Sequence, residues 1–289
     1  MNNDSIWNKL NFKNDDVIIS STIKSGTTWL QQIVAQLIFK GEFKGTLNQT
    51  SFWIDTVRDY SEEEMITKIN NQLHRRFYKT HSPASVVLTN NSMKAKFIFI
   101  TRDFRDVVWS FYNHFVNSKY KYKLLENYDK NTITRQLRDS KTPYEFWNII
   151  IDNKHLFEKH RSYKIIWSYF NTINTWLEVS KLENVLILHF NDLKQNLKRN
   201  IESISNFLGY NYSNEILNNI YNKCTFEYMK SNSLKCSPIE FKNSKAFINK
   251  GTNKRWKDIL NENDINNYNE LMSLFFDSDT VYWVENGNS

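Results

Sequence analysis

A short β-rich run, Val17–Ser20, passes directly into STIKSGTTWL at residues 21–30, and from there into an amphipathic segment from Thr27 to Lys40. This is a strand, a tight loop and a helix with almost no spacer, and few features restrict a fold more. The loop holds a single glycine, Gly26, at the point where the helix must begin. Unbonded amides and the helix dipole converge at such a helix start and attract an anion. Lys24 adds a mobile positive charge, Ser25, Thr27 and Thr28 add hydroxyls, and Trp29 offers a flat apolar face. The plain alternative is a strand-to-helix turn whose hydroxyls do no more than cap the helix.

The same grammar recurs downstream. Arg76–His81 reads as a second short strand closed by Pro83, Phe97–Thr101 as a third and Val185–Phe190 as a fourth. The third is apolar until its last residue, as a strand buried on both faces would be. Phe104, Val107, Val108, Phe111 and Phe115 follow it at helical spacing. A long helix is expected near Ser162–Ser180, and Asp192 is expected to cap a helix running to about Leu208. Residues 117–143 are polar, rich in Lys and Tyr and weakly periodic, and read as a loop or lid. Strands alternating with helices indicate an α/β fold of one domain over 1–289, with a central parallel sheet, helices on both faces and right-handed crossovers.

Composition narrows the function classes. The formal charge of +7 fits an anionic partner, but Lys and Arg are scattered and no basic run dominates, which argues against nucleic acid. Cys224 and Cys236 are the only cysteines, so no disulfide framework or CxxC pair exists and a reducing compartment fits. Met1 to Leu10 is polar and no apolar stretch approaches a membrane-spanning length, so a cytoplasmic protein without a membrane partner is expected. The histidines have no metal-binding spacing, and no metal is expected. His74, His114, His155, His160 and His189 read as structural or surface residues.

Three further segments carry candidate chemistry. In RFYKTHSP (76–83) the strand alternation puts Lys79 and His81 on one face, at the sheet's C-terminal end, where open α/β sheets bind ligands. An imidazole there can take a proton from an acceptor hydroxyl, although a capped surface histidine is the simpler reading. In FIFITRDFRDVVWSFYNHF (97–115) Arg102 ends a strand and can grip a phosphate, with Ser110 two helical turns on. A surface ion network of Arg102 with Asp103 and Asp106 is the alternative. FINKGTNKRWKDIL (247–260) carries Lys250 and Gly251, a charge and a backbone able to approach a phosphate.

Taken together, these segments resemble the sulfotransferases that use 3′-phosphoadenosine 5′-phosphosulfate (PAPS). KSGTTW after a strand looks like their 5′-phosphosulfate loop, which differs from a Walker A loop in placing Lys24 before its glycine. KTHSP is similar to their KTHLP segment, and Arg-Asp-x-x-Asp-Val to their second nucleotide motif. Lys250-Gly251 resembles the third motif, in the form KGTNxRW of a bacterial branch. The resemblance runs from about Val17 to Trp283 and implies a P-loop-like core. It implies PAPS as sulfuryl donor and PAP (3′-phosphoadenosine 5′-phosphate) as product. His81 would be the catalytic base, with Lys24 and Lys79 stabilising the transferring group. Lys24, Ser25, Gly26, Thr27, Thr28 and Trp29 would bind the 5′ end, and Arg102, Ser110, Asn249, Lys250 and Gly251 the 3′-phosphate. Phe226 would face the adenine opposite Trp29, core packing being the alternative for both aromatics.

This chain departs from the family at Phe190, Cys224, Asn249 and Lys254. Those changes keep a second reading open, a catalytically inactive nucleotide-binding homologue. A third is a P-loop nucleotide kinase or NTPase using ATP and Mg²⁺. The expected acceptor is a small molecule, aromatic or apolar, in a pocket drawing on Trp53, Phe115 and Tyr144. The dimer motif of animal members is not matched at Asn261-Glu262, which leaves the oligomeric state open.

Overall fold

Four parallel strands form one sheet in the computed structural model, in the order β2-β1-β3-β4. They are β1 (Val17–Ser21), β2 (Phe77–Thr80), β3 (Lys96–Thr101) and β4 (Val185–His189). The structure describes residues 6–55, 60–117, 133–159, 165–236 and 247–288. Five helices matter for the site: α1 (Thr27–Ile38), α2 (Phe104–Asn117), α3 (Tyr169–Glu178), α4 (Leu197–Phe207) and α5 (Asn214–Cys224).

The alternation of side chains along β3 explains the layers. Phe97 and Phe99 enter one apolar cluster with Ile18 of β1, Tyr78 of β2 and Trp176 of α3. Ile98 and Ile100 enter a second with Val17, Ile19, Phe77 and the apolar stripe of α1. Neighbouring residues of one strand therefore feed opposite cores, so the sheet is covered on both faces and needs no polar side. Phe99 stacks on Trp176 at 5.5 Å between centroids. Each such buried side chain contributes on the order of 1.5–3 kcal/mol.

The pole of the sheet away from the site is fixed by charge. Arg76, just before β2, makes a paired contact with Asp16, just before β1, with Nε donating to Oδ1 at 2.7 Å. Both are buried. This pins the starts of two neighbouring strands and leaves their C-terminal ends to the ligand side.

Several local expectations are corrected. The second strand is Phe77–Thr80, with Arg76 and His81 flanking it. Asp192 is not the N-cap: His189 caps a short helix, Phe190–Gln195, and Asn196 then breaks the path and caps α4 by accepting from Arg199 N. In the 162–180 segment a 3₁₀ turn, Ile165–Ser168, precedes α3, and residues 162–164 lie outside the described residues. Within 117–143, Ile133–Asp139 is helical and Thr142 caps the helix Pro143–Asp152. The rest of that expected lid, 118–132, lies outside the described residues. Among the described residues no helix is long and apolar enough to cross a membrane.

Candidate active site

Every strand ends at one cavity of about 400 Å³. β1 leads into Ile23 and Lys24, β2 delivers Lys79 and His81, β3 delivers Arg102, and Phe190 follows β4. Parallel strands deliver their C-terminal residues to one rim, so residues far apart in sequence meet there.

The loop after β1 is built from its own hydroxyls. Thr22 Oγ1 bonds Ser25 Oγ and lies 3.0 Å from Thr101 Oγ1 at the end of β3. Ser25 is fully buried in this knot and is not among the residues that line the cavity. Lys24 and Gly26 both take positive φ, 60° and 106°. The second of these turns the chain into α1 with no side-chain cap on the helix. The first amides of α1 are thus left for another acceptor, and Gly26, Thr27, Thr28 and Trp29 border the cavity. A Cβ on Gly26 would meet the Phe190 ring at 2.8 Å, so the cradle tolerates only glycine.

His81 is held by what surrounds it. Its Nδ1 lies 3.0 Å from the Ser21 carbonyl oxygen and 3.1 Å from Ser21 Oγ. A carbonyl only accepts, so Nδ1 carries the hydrogen and the lone pair sits on Nε2. Ser21 Oγ in turn bonds Thr27 Oγ1 at 2.6 Å, which ties the imidazole to the first turn of α1. Burial lowers the His81 pKa to about 4, helped by Lys79 and Lys24 and opposed by Asp55 and the Ser21 carbonyl. His81 is therefore neutral at physiological pH.

Asp55 is a residue the sequence reading missed. Its carboxylate accepts from His81 N (2.6 Å), Thr80 Oγ1 (2.7 Å), Ser82 Oγ (2.8 Å) and Trp53 Nε1 (3.0 Å). The segment around it runs parallel to β2, with Lys79 N donating to Phe52 O and Ile54 N to Lys79 O. Trp53 thereby stands edge-on to His81 at 5.3 Å, with Lys79 Nζ over its ring at 5.2 Å. An isolated aspartate in a Trp-Ile-Asp stretch carries no motif that would have marked it.

At the end of β3 Arg102 is buried, its Nη2 donating to Asn253 Oδ1 (2.7 Å) and to Thr252 O (3.1 Å). Asp106 stands at 3.9 Å, and the Phe190 ring lies 4.3 Å from the guanidinium. Arg102 Nε is buried without a partner, and so is Arg255 Nε. Asp103 is taken by Arg105, which also reaches Glu285 and stacks on Trp256 and Tyr268. The alternative of one surface network is thereby divided: Arg105 and Asp103 are structural, and Arg102 faces the cavity. Gly251 and Lys254, both at φ 63°, fold residues 251–255 back toward Arg102, and Asp106 accepts from Lys254 N. A Cβ on Gly251 would lie 2.7 Å from the Phe226 ring.

Trp29 and Phe226 both border the cavity, as do Ser110, Asn249 and Lys250. Trp29 Nε1 donates to Cys224 O at 2.7 Å. His114, expected to be structural, also borders it: its Nδ1 accepts from Lys24 Nζ at 3.2 Å, and Phe247 lies under the same ammonium at 4.6 Å. Of the three expected acceptor walls only Trp53 lines the cavity. Phe115 is core, against Phe146, and Tyr144 packs on that core. Among the described residues no three His, Cys, Asp or Glu side chains cluster as metal ligands.

Known proteins match this chain along most of its length. The family described as "Sulfotransferase domain" matches residues 14–278. The chain is similar to an amine sulfotransferase of Oryctolagus cuniculus, 31% identical over 85% of this chain and 75% of the relative. It is similar to a glycolipid sulfotransferase of Mycobacterium bovis, 23% identical over 97% and 91%. Among solved structures, a mouse sulfotransferase complexed with PAP superposes with TM-score 0.71 at 18% identity, covering 96% of this chain and 90% of that one. Retinol dehydratase in a complex with retinol and PAP superposes with TM-score 0.69 at 20% identity, covering 93% and 83%.

Proposed function

This chain belongs to the sulfotransferase family, whose domain spans residues 14–278, and we propose that it transfers a sulfuryl group from PAPS to a hydroxyl or amine of a small molecule. The observation that carries this reading is the cavity itself. A glycine cradle at Gly26 with Lys24 and an open helix start makes one anion site, and Arg102, Lys250 and the Gly251 turn make a second. Unpartnered nitrogens on buried Arg102 and on Arg255 fit an anion such as a phosphate. Trp29 and Phe226 border the space between as faces for the adenine.

PAPS supplies the sulfuryl group: as an acceptor oxygen or nitrogen bonds its sulfur, the bond from sulfur to the 5′-phosphate oxygen breaks and PAP leaves. The proton goes to His81, whose Nε2 lone pair is fixed by the Ser21 carbonyl on Nδ1. Lys24 and Lys79 border the same end of the cavity and stabilise charge on the transferring oxygens. The same two lysines add to the depression of the His81 pKa that burial causes, so an anionic donor beside them offsets their effect and raises its basicity. Trp53, Ile23 and Phe247 border the cavity near His81 and Lys24 and favour an acceptor with an aromatic or apolar body. Cys224 and Cys236 are buried free thiols, which suits a reducing, cytoplasmic setting.

A transfer assay with labelled PAPS and mixed phenols, alcohols and amines tests the reading. His81→Ala should lower turnover at least about 100-fold, while the Kd for PAP, measured by calorimetry, stays close to wild type. Near wild-type turnover in His81→Ala would remove the proposed base.

A further inference from the structure

The second anion site holds more positive charge than its protein partners neutralise. Arg102 and Arg255 border the cavity together, and each has a buried Nε with no acceptor. Of the two nearest carboxylates, Asp103 is committed to Arg105 at 2.8 Å. Asp106 stands 3.9 Å from Arg102 and spends both oxygens on Lys254 N, at 2.8 and 3.1 Å. The two guanidinium groups repel each other, and burial disfavours the charge on both. Two like charges are stable in such a place only when an anion joins them.

The loop places Arg255 there by backbone means. Gly251 and Lys254 at positive φ reverse the chain twice within four residues, and Arg102 Nη2 anchors the result through Thr252 O and Asn253 Oδ1. With Nη2 occupied, the Nε edge of Arg102 is the part left for a ligand. Arg255 presents an unpartnered Nε to the same cavity. Asn249, three residues before Thr252, contributes a carbonyl to Lys230 and no charge.

We infer that Arg255 is the second jaw of a two-arginine clamp with Arg102 that grips a terminal phosphate monoester, the 3′-phosphate of the donor, and thereby sets the preference for 3′-phosphorylated nucleotides. This rests on the donor reading above. A guanidinium fork matches a phosphate's oxygens in a way that a lysine ammonium does not.

Calorimetry on the full-length protein with PAP and with ADP, which lacks the 3′-phosphate, tests it. Arg255→Gln should weaken PAP binding about 10- to 100-fold, the worth of a charge-assisted hydrogen bond, and leave ADP within about twofold. Arg255→Lys should fall between, because it keeps charge without the fork. The ligand-free Tm of Arg255→Gln should not fall, since the substitution removes a repulsion. PAP binding within twofold of wild type in Arg255→Gln, or equal losses for PAP and ADP, overturns the clamp while leaving the donor reading intact. If the wild-type protein binds PAP no better than ADP, both fail together.

Discussion

Asp55 gives the sharpest test of how the site is held. Its four bonds fall into two pairs: Oδ1 takes the hydroxyls of Thr80 and Ser82, and Oδ2 takes the His81 amide and the Trp53 indole. The hydroxyls can turn elsewhere, but the amide and the indole N–H cannot. Asp55→Ala therefore leaves two fixed donors without an acceptor, at about 1–2 kcal/mol each for partly buried groups. The total of about 2–4 kcal/mol corresponds to a Tm lower by about 4–8 °C at this chain length. Loosening the His81 backbone should also cost about 100-fold in turnover. Asp55→Asn behaves differently. Its amide oxygen can serve the two fixed donors while its NH₂ donates to the two hydroxyls, so the geometry survives and only the charge is lost. The expected Tm change is less than half that of the alanine variant. Differential scanning calorimetry and the transfer assay read both numbers. Equal damage from the two substitutions, or a Tm change under about 1 °C in Asp55→Ala, would refute the reasoning.

Two further outcomes follow from the same geometry. The His81 pKa of about 4 means that the neutral imidazole the proposed base requires persists as pH falls, and is lost only near that value. The profile of kcat/KM for PAPS, which reports the donor-free enzyme, should therefore be nearly flat between about pH 5.5 and 7.5, whereas an unperturbed imidazole would bring a roughly tenfold fall at the lower end. A midpoint near 6.5 that disappears in the His81→Gln background would show the depression to be absent. Gly251→Ala puts a Cβ 2.7 Å from the Phe226 ring in a backbone region that disfavours side chains. PAP affinity should drop about tenfold or more, and a Kd within twofold of wild type would show that the loop can yield.

Much of the fold was legible because the evidence for it is local. A wholly apolar six-residue strand has only a buried place to go, and Lys96–Thr101 goes there with its phenylalanines in one core and its isoleucines in the other. Gly26 was legible for the same reason, since the chain cannot enter α1 at that angle with a Cβ on it. The break at Asn196 was less so: Asp, Asn and Gln are interchangeable as polar punctuation until the backbone shows which one stops the helix.

The partners of the candidate site could not be read this way. Asp55 lies in a segment with no motif, and His114 and Arg255 lie within motif segments at positions to which those motifs assign no role; they stand 26 residues from His81, 90 from Lys24 and about 150 from Arg102 along the chain. The sequence by itself determined the glycine turn into α1, the alternation that pairs Lys79 with His81, and the charge at Arg102. Each of these follows from backbone geometry over a few residues. Which nitrogen of His81 keeps its lone pair, which hydroxyls are consumed in the loop, and which arginines share a pocket were decided only when the strand ends met. Those properties belong to contacts between distant segments, and burial gives them their energy.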